Sequence, residues 1–132
     1  MKVTLLLACL PVVAVGVCSA TTQADRPGRV YLGNITDGNG KVIYQVATRF
    51  YTTRVARGQR GHSDVVFLRP TGQPVATYAV SMPADLPVAL RGNTLYFRAQ
   101  PSSPVQHQQA IDPAAPLPAM LCVAPGDCYL KH

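Results

Sequence analysis

The chain has 132 residues, with 12 Lys or Arg against 6 Asp or Glu, and a net charge of +6 at pH 7. It contains no Trp, and its six acidic residues are all Asp, scattered along the chain. The length is that of one domain, and the charge favours anionic partners over cationic ones. The scattered Asp residues argue against a paired-carboxylate enzyme.

Residues 1–20 have the pattern of a secretory signal peptide. Lys2 precedes an apolar run (3–17), and small residues end the segment at Ala20. The run contains Pro11 and is shorter than the roughly 20 apolar residues that span a bilayer. The sequence therefore predicts cleavage after Ala20 and a protein that is secreted, periplasmic or part of the cell envelope.

Lipidation is the alternative to simple export. Cys18 follows Val17, which is a poor fit to the small residue that a lipoprotein signal places there. Cys9 follows Ala8, which fits better, but too few residues precede it to form an apolar segment. A lipoprotein of the same fold, tethered to the envelope, stays open.

Residues 21–99 alternate between short apolar runs and turn residues. The predicted strands are 29–36, 41–54, 63–70, 74–82, 86–90 and 94–99. The strand at 63–70 is apolar on both faces and is expected to be central, and Gly92-Asn93 predicts a tight hairpin. No helix is predicted. The pattern indicates an all-β fold, a small antiparallel meander of about six strands that closes as a sandwich or an open barrel.

The character of the chain changes after Ala99. Residues 100–118 are rich in Pro and Gln and predict an extended segment, either a linker or an arm that lies across the body. Residues 119–132 predict a terminal hairpin. Because so small a body buries a limited core, docking of the arm or homodimerisation is expected to bury additional apolar surface.

Removal of the signal peptide leaves two cysteines, Cys122 and Cys128. An even number of cysteines in an exported chain predicts a disulfide. A zinc site would need two further ligands, and the three histidines are scattered along the chain. We therefore expect a structural disulfide, no metal and no cofactor.

The turn between the cysteines allows two geometries. Pro125 and Gly126 suit a type II turn, which would pair Val123 with Cys128. A three-residue loop would instead place Cys122 directly opposite Cys128. Either geometry brings the α-carbons within reach of a disulfide.

The run His62-Ser63-Asp64 invites comparison with a catalytic triad. Successive strand residues point to opposite faces, so Ser63 cannot face both of its neighbours. His62 and Asp64 could share a face, and an enzyme or metal-binding protein that uses them is an alternative. No third partner is evident, so we expect no enzymatic activity.

The most basic stretch is RFYTTRVARGQRGH (49–62). It is predicted to surround the longest loop of the body, and its candidate anion-binding residues are Arg49, Arg54, Arg57 and Arg60. Anionic envelope polymers or lipid headgroups are the expected partners, whereas nucleic acid is not expected outside the cell. The alternative is a solvated tip that charge keeps soluble. The sequence thus predicts a small exported, non-catalytic β-domain with a structural or binding role.

Overall fold

The computed structural model of the chain describes residues 28–101 and 105–132. In these ranges the regular structure consists of antiparallel strands and one 3-10 turn, Pro83–Asp85. The prediction of an all-β fold is confirmed. The predicted signal peptide lies outside the described residues. No helix in the described part of the chain is long and apolar enough to cross a membrane.

Nine strands lie in the described ranges. They are β1 (Arg29–Thr36), β2 (Val42–Val55), β3 (Gly58–Leu68), β4 (Pro74–Val80), β5 (Pro87–Arg91), β6 (Thr94–Phe97), β7 (Gln108–Ala110), β8 (Met120–Ala124) and β9 (Asp127–Leu130). They form a four-stranded sheet β1-β2-β3-β4, a three-stranded sheet β5-β6-β7 and the hairpin β8-β9. Within each sheet, neighbouring strands follow one another along the chain, which is the connectivity of a meander.

Turn chemistry explains where the first strands end. The Asp37 carboxylate accepts hydrogen bonds from the backbone N–H groups of Asn39 and Lys41, each at 2.9 Å, and so closes the loop between β1 and β2. Between β5 and β6, Gly92 and Asn93 have φ values of +55° and +63°. Positive φ at both central residues is the requirement of a tight type I′ hairpin, as the sequence predicted.

The core lies on one face of the four-stranded sheet. β3 is flanked by β2 and β4 and is buried over 63–68, so its predicted central position is confirmed. The core draws on all three sheets and contains Ile35, Val46, Val65, Phe67, Ala76, Tyr78, Val80, Leu95, Phe97, Ile111, Leu117, Leu121 and Val123. On the opposite face of the four-stranded sheet, Ala47, Val66 and Leu68 form a smaller buried cluster.

The described part of the Pro-rich segment after residue 104, residues 105–118, is an arm that lies across the body. It contains β7, a strand that the sequence did not predict, and it buries Ile111 and Leu117 in the core. The Tyr78 hydroxyl donates to the Pro118 carbonyl at 2.6 Å. Burial, aided by repulsion from Tyr44, raises the pKa of Tyr78 to about 12. The arm therefore adds to the core instead of acting as a linker.

The terminal hairpin carries the predicted disulfide. Cys122 lies directly opposite Cys128, their sulfurs are bonded, and their α-carbons are 3.9 Å apart. The turn nevertheless has the two-residue Pro-Gly form, with Gly126 at φ +76°. A bulge between Asp127 and Cys128 shifts the register by one residue. The structure thus combines the turn of one predicted geometry with the cysteine pairing of the other.

The last residues attach this hairpin to the four-stranded sheet. The Thr77 N–H donates to the His132 carbonyl at 3.1 Å, and the His132 N–H donates to the Thr77 carbonyl at 2.8 Å. A bridge between Tyr78 and Lys131 lies beside them. Lys131 and His132 therefore cover part of the outer edge of β4.

Candidate functional site

β2 and β3 project beyond the four-stranded sheet as a two-stranded ribbon, which we define as residues 50–62. The register of β1 against β2 reaches Arg49, and that of β4 against β3 begins at Ser63. Beyond these residues β2 and β3 pair with each other as far as Val55 and Gly58. In the described part of the chain no further strand flanks the ribbon.

The prediction of a long loop at 54–62 is therefore wrong. β2 continues to Val55 and β3 begins at Gly58, which leaves Ala56 and Arg57 as a two-residue turn. Gly58 has φ +127°, a conformation that favours glycine. A ribbon that is exposed on both faces needs no alternation of apolar and polar residues. Its sequence consequently resembles a polar loop.

One face of the ribbon is braced by stacked side chains. Tyr51 lies opposite His62, and their rings stack with centroids 4.7 Å apart and an interplanar angle of 14°. The His62 Nε2 atom lies 2.9 Å from the Thr53 hydroxyl oxygen. These contacts connect the two strands where there is no core beneath them.

The other face is braced by Phe50 and Gly61. A β-carbon added at Gly61 would lie 3.3 Å from Cε1 of Phe50, so the ring covers the glycine across the strand pair. Phe50 remains 47% exposed. With an aromatic brace on each face, the two strands of the ribbon are held in one register, from which the exposed side chains project.

Arg49 lies at the root of the ribbon and is already paired. Its Nε atom donates to the Asp64 carboxylate at 3.0 Å, and its guanidinium lies 4.9 Å from the centroid of the Tyr51 ring. Asp64 is buried, with 4% of its surface exposed. The charge of Arg49 is thus largely balanced, which separates this residue from the other three candidates.

The remaining candidates lie along the outer half of the ribbon. Arg54 and Arg60 are on opposite faces, since Arg60 lies opposite Thr53, the neighbour of Arg54. Arg57 lies in the turn, and all three residues are exposed. Residues 50–62 contain no acidic residue. The ribbon therefore carries three positive charges without an internal counter-ion.

A polar cleft of about 380 Å³ opens at the root, where β3 and β4 separate. It is lined by 60–64 of β3 and by 79–81 at the end of β4. Arg60 and His62 contribute its basic wall, and the Asp64 carboxylate is held by Arg49. The sequence did not predict this cleft because the divergence of β3 from β4 depends on long-range pairing.

The expected alternation at His62, Ser63 and Asp64 is present. His62 pairs with Tyr51, while Ser63 pairs with Phe50 and is buried on the opposite face. His62 contacts Thr53, and Asp64 is held by its arginine. Among the described residues no group of three or more His, Cys, Asp or Glu side chains could hold a metal ion. The metal-binding alternative thus gains no third ligand among the described residues.

Two further features were not predicted from the sequence. A cleft of about 300 Å³ has Arg98 and His107 in its wall. The Tyr129 hydroxyl lies 3.1 Å from the Ser81 hydroxyl and 3.2 Å from the buried carboxylate of Asp85. Burial raises the pKa of Tyr129, the Ser81 contact opposes this, and the Asp85 charge adds to it. The tyrosine contacts hold β9 against the end of β4.

No protein-family model, curated protein or solved structure matches this chain. The function proposed below is therefore argued from the geometry and charge of the ribbon and its cleft.

Proposed function

We propose that this chain is a small exported, non-catalytic binding module that holds an anionic polymer or headgroup surface of the cell envelope or the extracellular space. The four-stranded and three-stranded sheets pack on one core and are proposed to form a small open sandwich. In this proposal the sandwich is the scaffold and the ribbon is the binding element.

The observation that carries the proposal is the uncompensated charge of the ribbon. Arg54, Arg57 and Arg60 are exposed on a braced element that contains no acid. Guanidinium groups form paired hydrogen bonds to phosphate, sulfate and carboxylate. Because the ribbon is braced on both faces, less conformational entropy is lost on binding than a flexible loop would lose.

The positions of the arginines favour an extended ligand over a small ion. Arg54 and Arg60 point to opposite faces and Arg57 lies at the tip, so the three cannot converge on one phosphate. They can contact successive groups along a polymer or across a headgroup surface. Ribbon geometry thus supports a polyanion as the ligand class.

The location rests on sequence and on the disulfide. The signal-like segment at 1–20 supports export. A disulfide between Cys122 and Cys128 would persist in an oxidising compartment. Both features favour partners found outside the cytoplasm.

Salt-gradient retention on heparin and on immobilised polyphosphate tests the proposal. The test variant carries Arg54→Gln, Arg57→Gln and Arg60→Gln. The matched control removes the same charge elsewhere through Lys41→Gln, Arg69→Gln and Arg98→Gln, all at exposed positions. The parent should be retained at about 50 mM salt and released by about 500 mM, as the Debye length shortens from roughly 14 to 4 Å.

The ribbon variant should lose most of its retention, and the control should lose only its share of the net charge. Each substitution lies on the surface, so thermal unfolding should change little in either protein. Equal losses from the two variants would mean that the protein is merely basic. If the parent protein passes through both columns unretained at 50 mM salt, the proposed function is contradicted.

A further inference from the structure

We infer that the outer edge of β3 within the ribbon accepts an extended acidic polypeptide as an added strand. The inference rests on the proposed anion-binding function and narrows it, because it makes polypeptide the class of polymer. The binding edge is the segment 59–61, and the cleft at the ribbon root lies at one end of it.

Backbone directions at this edge follow from one hydrogen bond. The Phe50 N–H donates to the Gly28 carbonyl at 3.1 Å, so the backbone groups of Phe50 point away from β3. Ser63 lies opposite Phe50, and its groups therefore point away from β2. The direction repeats at every second residue. Gln59 and Gly61 thus direct their N–H and C=O groups toward the outer edge.

This edge has no partner within the described ranges. The register between β3 and β4 ends with Ser63 opposite Val80, and the turn at Pro83–Asp85 then follows. No described strand pairs with Gln59 or Gly61 on this side. An added strand that runs antiparallel to β3 would continue the line of β4, with one end at the cleft.

The spacing of the edge groups selects for polypeptide. Residues two apart on a strand present a donor and an acceptor at intervals of about 6.6 to 6.8 Å. Another extended backbone repeats the same pattern, and strand addition uses it for affinity. Polysaccharides, polyphosphates and lipid headgroups do not carry alternating amide groups at this interval. They can use the charges of the ribbon, but not its edge.

The charge of the ribbon selects for acidic chains. Arg60 lies between the two edge residues and projects from one face, where it would lie beside alternate side chains of an added strand. Arg57 lies at the tip, beyond the end of the edge. Charged residues at an exposed edge discourage pairing with neutral or basic strands. The same charges favour aspartate or glutamate at alternate positions of a partner.

Fluorescence anisotropy with a labelled peptide of about ten residues, alternating threonine and aspartate, tests the inference. The variant Gln59→Pro removes an outward N–H and places a ring on the edge, while the pairing with β2 does not use that N–H. The matched control Gln59→Ala keeps the N–H. We expect at least a tenfold weaker peptide affinity for Gln59→Pro and a change of less than twofold for Gln59→Ala. Both should keep the parental retention on polyphosphate.

A second measurement uses only the parent protein and so does not depend on the folding of the proline variant. Two versions of the peptide carry backbone N-methyl groups, one on every threonine and the other on every aspartate. Because alternate N–H groups of a strand face the same side, one version should lose binding and the other should keep it.

Equal binding of Gln59→Pro and Gln59→Ala, or of the two methylated peptides, would overturn strand addition. Normal polyphosphate retention in that case would leave the anion-binding function standing. Loss of retention on polyphosphate by the parent itself would instead remove the proposed function.

Discussion

Asn93 connects three parts of the fold, and its replacement should be among the most damaging surface changes. Its side chain bridges the end of β1, with Oδ1 accepting from the Thr36 N–H at 3.0 Å and Nδ2 donating to the Thr36 carbonyl at 2.8 Å. Its own carbonyl accepts from the Ile111 N–H at 2.8 Å. Its φ is +63°, so both the side chain and the backbone conformation matter.

Two substitutions separate these contributions. Asn93→Gly removes two partly buried hydrogen bonds, at about 1 kcal/mol each, and keeps the left-handed conformation available. The free energy of unfolding should therefore fall by about 2 kcal/mol. Asn93→Ala loses the same bonds and adds about 1 kcal/mol of backbone strain. For this variant the free energy of unfolding should fall by about 3 kcal/mol.

Urea unfolding at pH 7, followed by circular dichroism, measures these values. Asn39→Ala is the control, because Asn39 is exposed in the first hairpin loop and should change stability by less than about 0.5 kcal/mol. An Ala variant as stable as the Gly variant would refute the backbone part of the reasoning. A Gly variant within about 0.5 kcal/mol of the parent would refute the bridge between the sheets.

Three further outcomes follow from a buried tyrosine, a buried carboxylate and the disulfide. Because the folded state raises the pKa of Tyr78 to about 12 from 10.0, stability should be full below about pH 10 and should fall by roughly 2 to 3 kcal/mol toward pH 12. In pH-dependent urea unfolding, Tyr78→Phe should lack this alkaline loss, and an unchanged loss would contradict the assignment. Arg49→Met leaves the buried carboxylate of Asp64 without its ion-pair partner and should lower the free energy of unfolding by about 3 kcal/mol. The double variant that also carries Asp64→Leu should recover most of this loss. Replacing Cys122 and Cys128 by Ser should lower stability by about 2 kcal/mol, and parental protein that reacts with a thiol reagent before reduction would contradict the disulfide.

The body strands could be read from the sequence because each has a buried face. The apolar run at 65–68 follows from burial on both faces of β3, and the apolar residues of β2 at Val46 and Ala47 face the two buried clusters. Gly92 and Gly126 marked their turns because positive φ favours glycine. β7 could not be found in this way. The strand has only three residues, two of which are Gln, and it is held by backbone hydrogen bonds such as that from the Phe97 N–H to the His107 carbonyl at 3.0 Å.

The site could be predicted in composition but not in arrangement. The arginines at 54, 57 and 60 were evident, yet their faces depend on the position of a single turn. Once Ala56 and Arg57 are known to be the turn, the register pairs Tyr51 with His62 and Arg49 with Asp64. A sequence without hydrophobic periodicity does not locate that turn, so the pairing that balances the charge of Arg49 was missed.

Backbone amide NMR of the parent protein, titrated with a short polyphosphate at low salt, tests the central claim most directly. Binding by the ribbon predicts that the largest shift changes fall on residues 53–61, with little change at Arg98 and His107 in the second cleft. It also predicts that these changes disappear in the variant in which Arg54, Arg57 and Arg60 are Gln. Shift changes spread evenly over all exposed basic residues, or centred on Arg98 and His107, would contradict the ribbon as the binding element.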